Sequence, residues 1–152
     1  MHEAAFGRPD EARLAARLRQ EASPLVSLVA EERGRVIAHV LFSPVTLEGD
    51  ASSPAGALGP VGVVPDAQGR GAGSALIRAG SEACRALDWR LLFVLGAPAY
   101  YARFGFTLAA PRGLHYASHA FDVAFQVQEL APAALAGAHG WVRYHEAFAE
   151  VG

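Results

Sequence analysis

Thirteen positive charges against fifteen negative leave this 152-residue chain at net −2, which gives no electrostatic reason to expect nucleic acid as a partner. Its hydrophobic content, 52%, is dispersed, and no apolar run reaches the roughly 18 residues that a membrane span requires. A single cysteine, Cys84, excludes a disulfide within the chain and suits a reducing compartment, so a cytoplasmic protein is expected. Residues 1–6 carry neither a basic start nor a long apolar stretch, so no signal peptide is expected. The length fits one domain, residues 1–152, large enough to bury its own core.

In chain order, residues 10–19 read as a helix, with Asp10 as its cap and Leu14 and Leu18 on one face. Residues 25–30 and 36–47 read as strands joined by a hairpin at 32–35. A Gly, Asp, Ser, Pro and Ala loop covers 48–57. Residues 58–64 form a buried strand interrupted by Gly59-Pro60 and Gly62, where a bulge or splay is expected because proline cannot donate to a ladder. Residues 74–87 are helical, with Leu76, Ile77, Gly80, Ala83, Cys84 and Leu87 on the apolar face. There Cys84 reads as core rather than nucleophile. Residues 90–95 are a continuous apolar strand, and Pro98 opens a short helix through Arg103. Residues 106–108 and 121–130 read as a last strand pair across a long loop, and 132–136 and 142–149 as short helices. A strand-helix-strand unit among antiparallel hairpins predicts an α/β (α+β) domain with a mixed sheet.

Gln68-Gly69-Arg70-Gly71-Ala72-Gly73 lies at the strand-to-helix junction. There the helix dipole and unpaired backbone N–H groups suit an anion, glycines admit close approach, and Arg70 adds a charge-assisted donor. Two readings stand: a cradle for a pyrophosphate-bearing cofactor, or an ordinary glycine-rich loop. A Walker A loop is excluded because the chain has no lysine. A Rossmann fingerprint is excluded because the glycines fall at 69, 71 and 73 and the next strand ends at Leu95-Gly96-Ala97 without a carboxylate.

The glycine spacing, with Gln68, Gly71 and Gly73 at the key positions, resembles motif A of the GNAT N-acetyltransferases. Tyr101-Ala102-Arg103-Phe104-Gly105-Phe106 resembles that family's late Tyr-x-x-x-Gly-Phe signature. Gly96 to Phe106 and Ala38 to Pro44 resemble two runs of the YhbS-type subgroup. Three ordered motifs spread the resemblance over nearly the whole chain.

The resemblance implies a GNAT-like, mostly antiparallel central sheet with helices on both faces and a splay between the motif A strand and the next. The family's first strand is expected to be absent, since residues 2–7 resemble the end of the following helix. It implies acetyl-CoA as co-substrate, no metal, and direct attack of an amine on the thioester. The amine belongs to a small molecule or a protein. The strand carrying Val61 and Val63 would hydrogen-bond the pantetheine, and Gln68, Gly69, Arg70, Gly71, Ala72, Gly73 and Ser74 would hold the pyrophosphate. Tyr100 and Arg103 would also contact the cofactor. Tyr101 would protonate the departing thiolate, a phenol with a pKa of ~10 being suited to that task. Packing within the short helix is its alternative role, and Tyr100 is the second choice of acid.

The base is open. The strand 58–64 has no carboxylate. His39 has a suitable pKa, a structural histidine is the alternative, and His115, His119 and Glu129 are weaker options. Ala97 stands where many of the subgroup carry Asp. An acyl-CoA-binding domain without catalysis is therefore the alternative to an enzyme. The apolar run 121–127 and an open sheet edge lead to the expectation of a homodimer.

Overall fold

The structure, a computed structural model, describes residues 9–48 and 54–150. Its elements are helix α1 (Pro9–Glu21), strands β1 (Val26–Glu32), β2 (Arg35–Leu47) and β3 (Ala55–Val63), helix α2 (Ala72–Ala86), and strand β4 (Leu91–Leu95). A short helix α3 (Pro98–Tyr101) and strands β5 (Thr107–Leu108), β6 (Leu114–Tyr116), β7 (Phe125–Glu129) and β8 (Gly140–Arg143) follow. The strand order is β5-β7-β4-β3-β2-β8-β6, with β1 paired to β2. The β3–β4 and β6–β8 pairings are parallel, and β1–β2, β2–β8, β4–β7 and β5–β7 are antiparallel. The fold is therefore the mixed, mostly antiparallel α+β sheet expected.

The chain separates into two compact units. The first holds the described residues of Met1–Ser43, Leu58–Ala83 and His145–Gly152. Leu14, Ala15 and Leu18 recur at helical spacing and bury one face of α1 against Ala22, Leu41 and Ala147. Arg17 pairs one turn on with Glu21 at 2.7 Å, on the helix's outer side. β1 and β2 meet through Arg33 and Gly34, at φ 54° and 78°. A two-residue loop with both residues left-handed matches the twist of the strands it joins. In α2, Gly80 lets the helix close onto β2: a Cβ there would fall 1.9 Å from Phe42 Cε1.

The second unit holds the described residues of Pro44–Ala57 and Cys84–Tyr144. Its core gathers Val45, Leu47, Ala57, Leu91, Phe93, Leu114, Phe125, Val127 and Val142, with the Phe93 and Phe125 rings stacked 5.2 Å apart. The β3–β4 ladder comprises Ala55–Leu91, Gly56–Leu92 and Ala57–Phe93. From Val94 on, β4 is registered with β7. Cys84 is fully buried and its thiol is pushed up to about 12 by that burial, as befits a small core side chain.

Several boundaries differ from expectation. Ala55–Ala57 belong to β3, not to the preceding loop, because they find partners on β4. α2 begins at Ala72 and ends at Ala86, and Leu87 is 42% exposed, so it is not on the buried face. Only Phe125–Glu129 of the expected strand 121–130 pair, and 119–121 form a 3-10 turn. Residues 132–136 make turns rather than a helix. In place of a helix over 142–149 the chain forms β8 and a 3-10 turn at Glu146–Glu150, and β6 was not expected at all. Phe125 and Val127 are core residues, leaving Phe121 and Val123 as the exposed part of the run offered for dimer contact. The segment 2–7 and the side chain of Asp10 lie outside the described residues.

Candidate active site

In the first unit, β3 delivers the glycine turn. Val61 and Val63 lie on its half-buried C-terminal portion. A short 3-10 turn at Pro65–Ala67 follows, and Gln68 Nε2 donates back to the Val63 carbonyl at 3.0 Å, tying the loop to the strand that precedes it. Gly69 and Gly71 stand at φ 80° and 86°, and nothing lies within 4 Å of a Cβ built on either. The left-handed backbone demands glycine here, and the space above it is open. Ala72, Gly73 and Ser74 then form the first turn of the 15-residue α2, and Ala75 N–H closes onto Gly71 O at 3.0 Å. The earlier N–H groups of such a helix point out of its end and carry the positive pole of its dipole. Arg70 extends beside them and is paired with Glu32 at 3.1 Å, both half-exposed. An exposed pair of this kind is worth about 0–1 kcal/mol, so an incoming phosphate can displace Glu32 cheaply.

His39 and its neighbours occupy the same unit. The ring is fully buried on β2. Arg19 Nη2 lies 3.0 Å from His39 Nδ1 and also reaches Nε2, while Ser27 Oγ lies 2.9 Å from Nε2. Burial lowers the Arg19 pKa from its ordinary value. The ring is thus held between α1 and β1 as a packed, hydrogen-bonded side chain, the structural alternative to a base. His39→Gln is therefore expected to leave the acidic limb of the pH–rate profile in place. It should reduce unfolding stability by about 1–3 kcal/mol through the altered hydrogen bonds to Arg19 and Ser27. Urea unfolding and a pH–rate series check this. Loss of the acidic limb at unchanged stability would return His39 to the base role.

The second unit carries the tyrosines. Ala97, in extended conformation, precedes α3, and Tyr100 and Tyr101 N–H close onto its carbonyl at 3.1 and 3.2 Å. Ala97 supplies no side-chain cap. Tyr101 is 8% exposed and makes edge contacts with Tyr100 at 5.0 Å and Phe106 at 5.8 Å. A Cβ on Gly96 would fall 2.4 Å from Tyr101 Cε2, so glycine at 96 is what seats the ring. Gln126, buried on β7, donates to Gly96 O at 3.1 Å and fixes the strand end beneath it. Burial, with Tyr100 beside it, pushes the Tyr101 phenol up to about 12. The phenols of Tyr144 and Tyr116 are also raised by burial, and Tyr144 senses both Tyr116 and Tyr101. Arg103 lies over the Tyr100 ring at 5.2 Å.

The weaker base candidates fall elsewhere in that unit. Glu129 Oε2 accepts the Leu135 N–H at 2.9 Å. His115 and His119 both turn their Nδ1 atoms to the Asp122 carboxylate, at 2.9 and 3.0 Å. Those two bonds, that from His115 foremost, hold Asp122 below the usual carboxylate range. Gln126, Ser27 and Arg19 were not singled out from sequence. A buried polar residue has no signature when its partners are distant in the chain.

Residues 1–109 match the family model described as an acetyltransferase (GNAT) domain. The chain belongs to the GNAT acetyltransferase family. It is 37% identical over 139 residues to the uncharacterized N-acetyltransferase YhbS of Escherichia coli, spanning 91% of this chain and 83% of that one. It is 42% identical over 105 residues to YjhQ from the same species, spanning 67% and 58%. Its fold matches the crystal structure of YhbS from Escherichia coli in complex with CoA at TM-score 0.89 and 35% identity, covering 99% of this chain and 83% of that one. A GNAT acetyltransferase from Brucella melitensis in complex with acetyl-CoA matches at TM-score 0.75 and 36% identity, covering 96% and 86%. This member of the family is accordingly an N-acetyltransferase enzyme.

Proposed function

We propose that this GNAT enzyme transfers an acetyl group from acetyl-CoA to the amine of a small molecule or protein by direct attack, within one catalytic domain. The observation that carries the cofactor choice is the open, left-handed glycine turn at the start of α2. The two structural relatives whose crystals hold CoA and acetyl-CoA support it.

Each part has its task. Backbone N–H groups from Gln68 to Ser74 hold the pyrophosphate, and Arg70 exchanges Glu32 for it. The half-buried strand at Val61 and Val63 offers backbone to the pantetheine. The amine nitrogen attacks the thioester carbonyl, the C–S bond breaks, and the Tyr101 hydroxyl protonates the thiolate. The amine loses its proton to solvent, since His39 is engaged by Arg19. Tyr100 and Arg103 form the aromatic and cationic flank of the tyrosine helix. A panel of amines offered with acetyl-CoA, followed by thiol release and product mass, tests the reading. An amine-dependent signal is expected, and thiol release indifferent to every amine counts against it.

Ala97→Asp places a carboxylate at an exposed cap position of α3. It is expected to raise kcat/KM for small cationic amines about tenfold, the equivalent of roughly 1–2 kcal/mol for one added ionic contact. Steady-state kinetics across the panel check this. No change with any amine would make the position structural.

A homodimer remains part of the proposal, resting on exposed Phe121 and Val123. Light scattering at micromolar concentration should give twice the chain mass, and a monomer mass removes the dimer from the account.

A further inference from the structure

His115, His119 and Asp122 form a second cluster, to which the proposed acyl transfer assigns no step. β6 supplies His115, and the parallel pairing of β6 with β8 sets it opposite Trp141. Ser118 caps the 3-10 turn that carries His119, its Oγ accepting from Ala120 N–H, and Asp122 follows at the end of that turn. Eight residues thus bring two imidazoles and a carboxylate together, with their ligand atoms all within 4.8 Å of one another. The two imidazole rings lie 4.7 Å apart at 80°, and the Trp141 ring stands 5.1 and 5.2 Å from them.

A carboxylate that faces two ring nitrogens needs a positive centre between each nitrogen and oxygen, either a proton or a metal ion. Zinc–nitrogen and zinc–oxygen bonds of about 2.0–2.2 Å at a tetrahedral angle separate ligand atoms by about 3.4 Å. The nitrogen–oxygen distances of 2.9 and 3.0 Å are therefore about half an ångström short of a coordinated geometry. Rotation of the Asp122 carboxylate about its Cβ–Cγ bond opens the distance to His115, and His119, whose side chain is 72% exposed, can follow it. Imidazole donors select first-row transition ions over magnesium and calcium, which take oxygen ligands. Trp141 walls the two imidazoles, and three protein ligands leave one position for water.

We propose that His115, His119 and Asp122 bind a first-row divalent transition-metal ion, Zn²⁺ foremost, in a solvent-open site that staples β6 to the turn at His119–Phe121. This departs from the metal-free expectation drawn from the family resemblance. It stands independently of the acyl-transfer reading.

Calorimetric titration of Zn²⁺ into the metal-stripped, untagged full-length chain tests the site. One saturable ion per chain is expected, with a rise in Tm that follows occupancy. His119→Ala and Asp122→Asn should each weaken binding by roughly 10–100-fold or more while leaving the circular dichroism of the metal-free protein unchanged. Ni²⁺ should quench tryptophan fluorescence saturably in the wild type and not in His119→Ala, since Trp141 adjoins the site and Trp89 is buried among other residues. Absence of saturable Zn²⁺ binding up to millimolar concentration overturns the proposal. So does His119→Ala binding Zn²⁺ as tightly as the wild type.

Discussion

Gly71→Glu is expected to abolish measurable acetyl-CoA binding, a loss of at least about 100-fold or roughly 2.7 kcal/mol. Gly71 stands at φ 86°, and a side chain in that region costs about 1–2 kcal/mol of folding stability in the free and the bound protein alike, so the affinity loss comes from the carboxylate. The new carboxylate then projects into the open space at the positive end of α2, where the pyrophosphate needs to lie. Gly71→Ala separates the terms: it keeps the backbone penalty without the charge, so it should lower unfolding stability by about 1–2 kcal/mol while leaving acetyl-CoA affinity close to the wild type. Calorimetry with both variants, beside urea midpoints to confirm folding, checks the assignment. Gly71→Glu with the affinity of the wild type would remove the pyrophosphate from this turn.

Tyr101→Phe should lower kcat by about 10²–10⁴-fold and leave the acetyl-CoA dissociation constant nearly unchanged. The phenyl ring keeps the contacts with Tyr100, Phe104 and Phe106, so the variant loses the proton donor rather than the packing. Burial raises the phenol pKa from the ~10 of a free tyrosine to about 12, which keeps the hydroxyl protonated and also makes it a weaker acid toward the leaving thiolate. The acid form persists through pH 10, and turnover limited by it declines only as pH approaches about 12. Single-turnover kinetics together with equilibrium binding separate chemistry from affinity. Full activity in Tyr101→Phe with loss in Tyr100→Phe would assign the acid to Tyr100.

The parts legible in the sequence were those whose signals are local. The glycine turn and α2 are one continuous stretch, and the structure places Gly69, Gly71 and the helix start within two residues of expectation. The hairpin at Arg33-Gly34, the apolar β4 and the Pro98 helix start were legible for the same reason. The resemblance to motif A and to the Tyr-x-x-x-Gly-Phe run carried the family. What escaped depends on distant pairing. β6 and β8 have three and four residues, too short for periodicity, and they exist because Leu114–Tyr116 align with Gly140–Val142. The alanine and aromatic spacing of 142–149 imitates a helix face, and pairing with β2 overrides it. Within the candidate site, Tyr101 could be chosen from its motif, but Gly96 as the seat of its ring could not. The trio of His115, His119 and Asp122 was visible only as separate histidines. The spacing His-x-x-x-His-x-x-Asp was the signal that could have joined them. The engagement of His39 by Arg19 and Ser27 links α1, β1 and β2, which no linear motif records.

Acetyl-CoA labelled in its acetyl group, mixed with excess enzyme in a single turnover with and without an accepted amine, tests direct N-acetyl transfer most directly. The account predicts one free thiol per labelled acetyl-amine, no thiol release without amine, and an unlabelled protein in both cases. Labelled protein formed before product, or thiol release at the same rate without amine, would contradict it.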